Sequence, residues 1–240
     1  MWLALDTAGD CASVALGEPG SGSAALDENL PGARRHAAAL LPIVQRLLGR
    51  AGSTLDAVQG VVLSDGPGSF TGLRVGASVA KALVDTRRIP LWTAPSLLVR
   101  AAQVARPNAL VLALSNALRG EVYAAAYRFD SDGIRTELVP SVRRPEDIVS
   151  WGLQPDILVG EAPLQVVEAL ERWSGRTLIG PPEGSPHAAR LLDLVGVRGG
   201  AREVLTVGEW EPVYGRPAEA QARWESAHGR PLPDSVGSPG

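Results

Sequence analysis

Cysteine and lysine are among the residue types of which the chain holds almost nothing. Among 240 residues there is one cysteine, Cys11, and one lysine, Lys81. A lone cysteine excludes an internal disulfide. With no catalytic histidine beside it in sequence, its thiol reads as inert. The other basic residues are all arginine, and with abundant Ala, Gly and Pro this points to GC-rich codon usage rather than to function. The pairs Arg34-Arg35, Arg87-Arg88 and Arg143-Arg144 read as solvated surface. There is no excess of positive charge either: the net charge is −3, which argues against a freestanding nucleic-acid binder. No apolar run reaches the roughly 18 residues of a membrane span. The opening MWLALDTAGD lacks a basic region and carries Asp6 early, so a signal peptide is not expected. A soluble cytoplasmic protein is the expectation. Histidine is scarce as well, and His36, His187 and His228 lie far apart in sequence.

What is present is an apolar content of 45%, enough for a sizeable core, arranged with regular periodicity. MWLALDTA, ASVALGE and SAALDENL read as three strands. RRHAAALLPIVQRLLGRAG reads as a helix ending at glycine, AVQGVVLSD as a strand, LRVGASVAKALVDT as a helix, IPLWTA as a strand and PSLLVRAAQVA as a helix. The same order, βββαβαβα, then repeats from ALVLALSN to SPHAARLLDLVG, without residue-level identity between the halves. The predicted fold class is α/β: a duplicated ribonuclease-H-like fold of the actin and Hsp70 kind, with two lobes of mixed sheet and flanking helices. The lobes are predicted at 1–106 and 107–200. A C-terminal segment at 201–225 follows, with a short helix at 217–225. Residues 226–240, rich in Pro, Gly and Ser, form a predicted disordered tail.

The most conspicuous stretch is LSDGPGSFTGLRVGASVAKAL, residues 63–83. A Walker loop would need lysine after Gly72, where Leu73 stands. A dinucleotide loop would need glycine where Thr71 stands, and an acid at the end of IPLWTA, which has none. The stretch is therefore read as a strand-to-helix turn, with Ser69 or Thr71 capping the helix. In that helix Val75, Val79, Ala82 and Leu83 form one stripe, while Gly76, Ala77 and Ala80 form a face that another helix could approach closely. The preceding helix carries Leu40, Leu41, Ile43, Val44, Leu47 and Leu48, more than one ordinary apolar stripe. It needs cover on two sides, from the second lobe or from a partner protein.

Six segments, LALDTA…ASVAL, RRHAAALLPIVQRLL, GPGSFTGLRVGASVAKAL, IPLWTAPSL, RGEVYAAAY and EPVYGRPAEA, together resemble the bacterial TsaB family of tRNA threonylcarbamoyladenosine biosynthesis proteins. The resemblance covers about residues 1–225, and GPGSFTGLR is its most specific piece. It implies a non-catalytic partner of a TsaD-like transferase, which moves a threonylcarbamoyl group onto the adenosine 3′ of the anticodon. The tRNAs concerned read codons beginning with A. It also implies a TsaE-like ATPase as a third component and contact with tRNA only through the complex. Alone, the chain is expected to form a homodimer through its apolar helices, since an exposed patch of that kind seldom stays bare. The implied partner interface is a helix bundle made from about 36–49 and 69–84. The interface residues expected there are Leu40, Leu41, Val44 and Leu47 on the first helix, and Arg74, Val75, Ser78 and Val79 on the second.

The alternative is an independent nucleotide-hydrolysing enzyme or a peptidase of the same superfamily. TsaD-like catalysis needs a metal on an H-x-x-x-H pair, two imidazoles on one helix face, and this sequence has no such pair. Actin-like ATPases use acids at the end of the first strand of each half. Here the first half offers Asp6, with Thr7 beside it, as possible nucleotide-proximal residues. The second half offers Asn116, which cannot act as a general base. Ser64, Ser69 and Ser115 lie outside any G-x-S-x-G motif and have no evident histidine. No metal and no cofactor are expected.

Overall fold

The computed structural model describes residues 1–9, 11–21, 26–31, 36–117 and 120–215, with residue 31 and residues 36–38 described by backbone alone. The first sheet contains β1 (Trp2–Asp6), β2 (Cys11–Gly17), β3 (Leu26–Pro31), β4 (Gly60–Ser64) and β5 (Leu91–Ala94), with α1 (His36–Arg50), α2 (Phe70–Arg87) and α3 (Ser96–Val104) between and after them. The second sheet contains β6 (Leu110–Asn116), β7 (Val122–Asp130), β8 (Gly133–Arg143), β9 (Ile157–Gly160) and β10 (Leu178–Ile179). Its helices are α4 (Pro145–Val149), α5 (Leu164–Ser174) and α6 (Ala189–Leu194). A final short strand, β11 (Arg202–Glu203), has no counterpart in the sequence reading. Of the expected C-terminal features, the helix at 217–225 and the tail at 226–240 lie outside the described residues, as does Arg34-Arg35.

The two sheets are wired alike. Their strand orders are β11-β5-β4-β1-β2-β3 and β10-β9-β6-β7-β8. In each, the first strand pairs antiparallel with the second and parallel with the fourth. The central strands WLALD, GVVLS and LVLALSN are near-continuous apolar runs because both faces of each sheet are covered. This is the duplicated ribonuclease-H-like, actin-like architecture that the element order predicts.

Three apolar clusters fill the layers. One joins α1 and α2 to the outer face of the first sheet. Another covers the outer face of the second sheet with α5 and Ile148 of α4. The third lies between the sheets and includes residues of both, together with α3 and α6. The two sandwiched helices cross over: α3, from the first half of the chain, packs on β6, β7 and β9, while α6, from the second half, packs on β1, β2 and β4. β11 likewise returns to the first sheet, pairing antiparallel with β5 through Arg202–Thr93 and Glu203–Trp92.

Local sequence explains the helix ends. Ser69 is the N-cap of α2, its hydroxyl accepting from the Gly72 N–H at 3.3 Å. α5 stops at Gly175, which takes the left-handed conformation at φ 67°. Pro95, with φ near −56°, starts α3.

Candidate partner face and the junction between the lobes

The first lobe covers α1 itself. Leu40, Ile43, Val44, Leu47 and Leu48 are all buried in the outer cluster, against β2, β3 and α2. Leu40, Val44 and Leu47 therefore do not reach the surface on which they were expected to meet a partner. Neither the second lobe nor a partner is needed to cover them, because the wide apolar face wraps into the angle between sheet and α2. Of the four expected α1 residues only Leu41 is exposed, at 48%. On α2, Arg74 and Ser78 are exposed and Val75 and Val79 are half-buried. With Ala82 and Leu83 they make a weakly apolar strip along the outside of the helix.

The small-residue face packs inward. Ala77 and Ala80 are buried in the apolar cluster that joins α1 to the first sheet, and Gly76 lies against Thr7 and Leu63. A Cβ on Gly68, Gly72 or Gly76 would strike the Ala8 carbonyl oxygen, the Thr7 carbonyl oxygen and the Thr7 hydroxyl respectively. Spaced four apart, they lie on one side of the loop and helix and let α2 rest directly on the chain leaving β1. The Ser69 N–H donates to the Ala8 carbonyl at 2.7 Å and seals the contact.

Asp6 and Thr7 sit at that point, both fully buried. One Asp6 oxygen accepts from the Ala8 N–H at 3.1 Å and so caps the turn after β1, while Oδ2 has no hydrogen-bond partner of good geometry. Burial pushes the Asp6 carboxyl up to about 6; the Ala8 N–H, the Ser64 hydroxyl and the charge of Arg100 pull it partly back. Arg100, on α3, is 3% exposed. Its guanidinium donates to Glu161 at 2.9 Å and to the Gly184 carbonyl at 3.2 Å, tying α3 to two loops of the second lobe. Beside it Ala8, Gly9, Pro67, Ser96, Ser115 and Pro186 line a cavity of about 10 Å³, room for about one water. Arg100 thus ties the two lobes together beside this small cavity.

Several residues here carried no motif in the sequence. Asp65 follows β4 and is 1% exposed, with its carboxylate bonded to Arg202 at 2.9 Å. Burial raises its pKa, against the pull of Arg202 and Thr93. Tyr127 is buried beside it with an unpartnered hydroxyl, and its ionisation is suppressed first by burial and then by the Asp65 charge. Asp65 lies in the conspicuous stretch 63–83, where nothing marked its side chain for a role.

The remaining candidates stay apart. His187 pairs through Nδ1 with Asn29 at 3.1 Å, joining the approach to α6 to β3. His36 opens α1 with only its backbone described, and His228 lies outside the described residues. Among the described residues no three His, Cys, Asp or Glu side chains gather as a metal site, and no helix is long and apolar enough to cross a membrane.

A duplicated two-sheet core with a glycine-packed α2 over the first turn defines a member of the actin-like, ribonuclease-H-like superfamily. The profile of the family described as TsaD, tRNA N6-adenosine threonylcarbamoyltransferase, matches residues 31–168. The chain is 37% identical over 147 residues to the tRNA threonylcarbamoyladenosine biosynthesis protein TsaB of Escherichia coli K12, covering 60% of this chain and 62% of that protein. That alignment spans just under two thirds of the relative's length. To TsaB of Buchnera aphidicola it is 30% identical, covering 66% of this chain and 77% of that one. A crystal structure of a Pseudomonas aeruginosa protein, described as uncharacterized with similarity to peptidase YeaZ, superposes with a TM-score of 0.71 at 29% identity. It covers 90% of this chain and 99% of that one. The chain belongs to the TsaB family, within the wider TsaD-like group.

Proposed function

We propose that this chain serves tRNA threonylcarbamoyladenosine biosynthesis as a non-catalytic subunit that binds and activates a TsaD-like transferase. The reaction served is threonylcarbamoyl transfer to the adenosine 3′ of the anticodon in tRNAs reading codons that begin with A. The observation that carries this reading is the α2 strip, where Val75, Val79 and Leu83 stay half-exposed beside the exposed Arg74, Ser78 and Leu41. Such a strip on a rigid helix suits the partner helix of a bundle. In the isolated chain the same strip pairs two copies, and in the complex it is exchanged for the transferase. A TsaE-like ATPase joins as a third component. Contact with tRNA is indirect, in keeping with nine arginines against twelve acidic residues over 107–200.

Asp6 and Thr7 act in this reading as a structural turn. The cavity near them is far smaller than the several hundred Å³ of an ordinary ligand site. The test is size-exclusion chromatography with light scattering, on the chain alone and mixed with the TsaD-like protein of its own organism. A dimer that converts to a one-to-one heterodimer is expected. Val79→Arg is expected to abolish both associations while leaving a folded monomer, since Val79 borders solvent. An unchanged dimer, or a purified chain that hydrolyses ATP unaided, would overturn the proposal.

A further inference from the structure

The chain does not end with its second sheet. After β11 it runs back over the first lobe as a strap, residues 204–215, which reaches the N-terminal end of α2. There the Tyr214 ring lies against Phe70, with centroids 4.7 Å apart. The Arg74 guanidinium stands 4.1 Å over the Phe70 ring and 5.9 Å from the Tyr214 ring. Farther along α2, Lys81 bonds Glu211 at 2.9 Å and faces the Trp210 ring at 5.6 Å. The strap thus forms one wall of the α2 strip, and Arg74 is held by a residue 140 positions away in sequence.

Most of what holds the strap is replaceable. β11 contributes a ladder of two residues, extended by the Val204 N–H to the Leu91 carbonyl at 2.8 Å. Val204, Val207 and Trp210 add half-buried apolar contact. The Lys81–Glu211 pair is surface-exposed, and such pairs contribute little. Asp65 is different in kind. It holds the strap at both ends: its carboxylate takes Arg202 at the root, and its carbonyl accepts the Val213 N–H at 2.7 Å near the tip. Its own N–H donates to the Ala94 carbonyl at 3.0 Å, fixing it between β4 and β5. The carboxylate is almost wholly buried, whereas the Arg202 side chain is 65% exposed. The cation therefore rehydrates freely if the contact opens, but the anion would stay in the protein without its counter-charge unless the strap lifts and admits water. The next residue completes the fit: Gly66 has φ 107°, and a Cβ there would fall on the Val213 carbonyl oxygen. Tyr123 of the second sheet donates its hydroxyl to the Tyr214 carbonyl at 3.4 Å, so the strap tip also bridges the lobes.

We propose that Asp65 and Arg202 form a latch that holds the C-terminal strap against the first lobe and so positions Tyr214 and Arg74 at the edge of the partner face. They are positioning residues for that face. The consequence for binding rests on the α2 strip being the docking surface; the latch itself does not.

The test is hydrogen exchange on the full chain, following the Val204 and Val213 amides against the β1 and β4 amides as an internal standard. Arg202→Ala is expected to speed exchange at Val204 and Val213 at least tenfold while the standard amides keep their rates. Arg202→Lys, which preserves the charge, is expected to return most of the protection. Adding Asp65→Asn to Arg202→Ala is expected to recover protection as well, because a neutral amide leaves no orphaned anion. That recovery separates a latch from simple loss of packing. Unchanged Val204 and Val213 exchange in Arg202→Ala, a double variant as loose as the single one, or loosening of the whole first lobe would each overturn the latch. Binding to the TsaD-like protein of the same organism, measured on the same variants, is expected to weaken in step with strap exchange. If the wild-type chain does not bind while the amides respond as described, the docking reading fails and the latch stands.

Discussion

Replacing Asp6 with asparagine is expected to stabilise this protein at pH 8. The carboxyl is fully buried and its pKa stands at about 6, against 3.8 for an ordinary aspartate. At about 1.4 kcal/mol per pH unit, that difference is about 3 kcal/mol of penalty on the ionised folded state. For a group whose pKa is raised by folding, the folded state binds the proton more tightly. Its contribution is therefore most favourable below about 3.8 and is lost as pH rises through about 6. Asparagine keeps an oxygen for the Ala8 N–H and carries no charge. Asp6→Asn should thus gain about 1–3 kcal/mol at pH 8, with the advantage shrinking to near zero at pH 4. Urea denaturation of both proteins at pH 8, 6 and 4 measures this directly. A difference that does not change with pH, or a variant less stable at pH 8, would refute the reasoning. The same variant bears on function. With Asp6 as a turn cap, partner binding survives the change; a stable variant that has lost it would return Asp6 to the nucleotide-proximal role.

Gly72→Ala puts a methyl group on the Thr7 carbonyl and should cost about 3 kcal/mol, whereas Gly49→Ala, with open space around it, should be neutral or gain up to about 1 kcal/mol; thermal melts of the two decide it. Leu47→Ala should lose about 2–5 kcal/mol as a core truncation, while Leu41→Ala should leave stability within about 0.5 kcal/mol and weaken partner binding, so stability and affinity measured together separate core from surface on α1. Arg100→Met removes the tie to Glu161 and Gly184 and the charge that lowers the Asp6 pKa; it should destabilise by about 2 kcal/mol and raise the apparent pKa seen in the stability-pH profile. An unshifted profile would show that Arg100 does not act on Asp6.

The order of elements, the duplicated fold class, a hydroxyl cap at Ser69 or Thr71 and the helices in RRHAAALLPIVQRLLGRAG and LRVGASVAKALVDT were legible in the sequence, because each depends on neighbours within a few positions. Apolar period, glycine at a helix end and a hydroxyl three residues before an N–H are local signals. Which apolar face is surface and which is core was not legible. α1 displays a wide greasy face whether a partner or its own sheet covers it, and only the packing of β2, β3 and α2 around Leu40, Val44 and Leu47 decides. The glycines of α2 announced a close approach but not its object, which proved to be the backbone after β1. The exchange of α3 and α6 between sheets, the two-residue β11 and the pairing of Asp65 with Arg202 left no trace in periodicity. Each joins segments far apart in the chain, and the energy that fixes them, burial of apolar surface and of one carboxylate, exists only once the two halves have closed on each other.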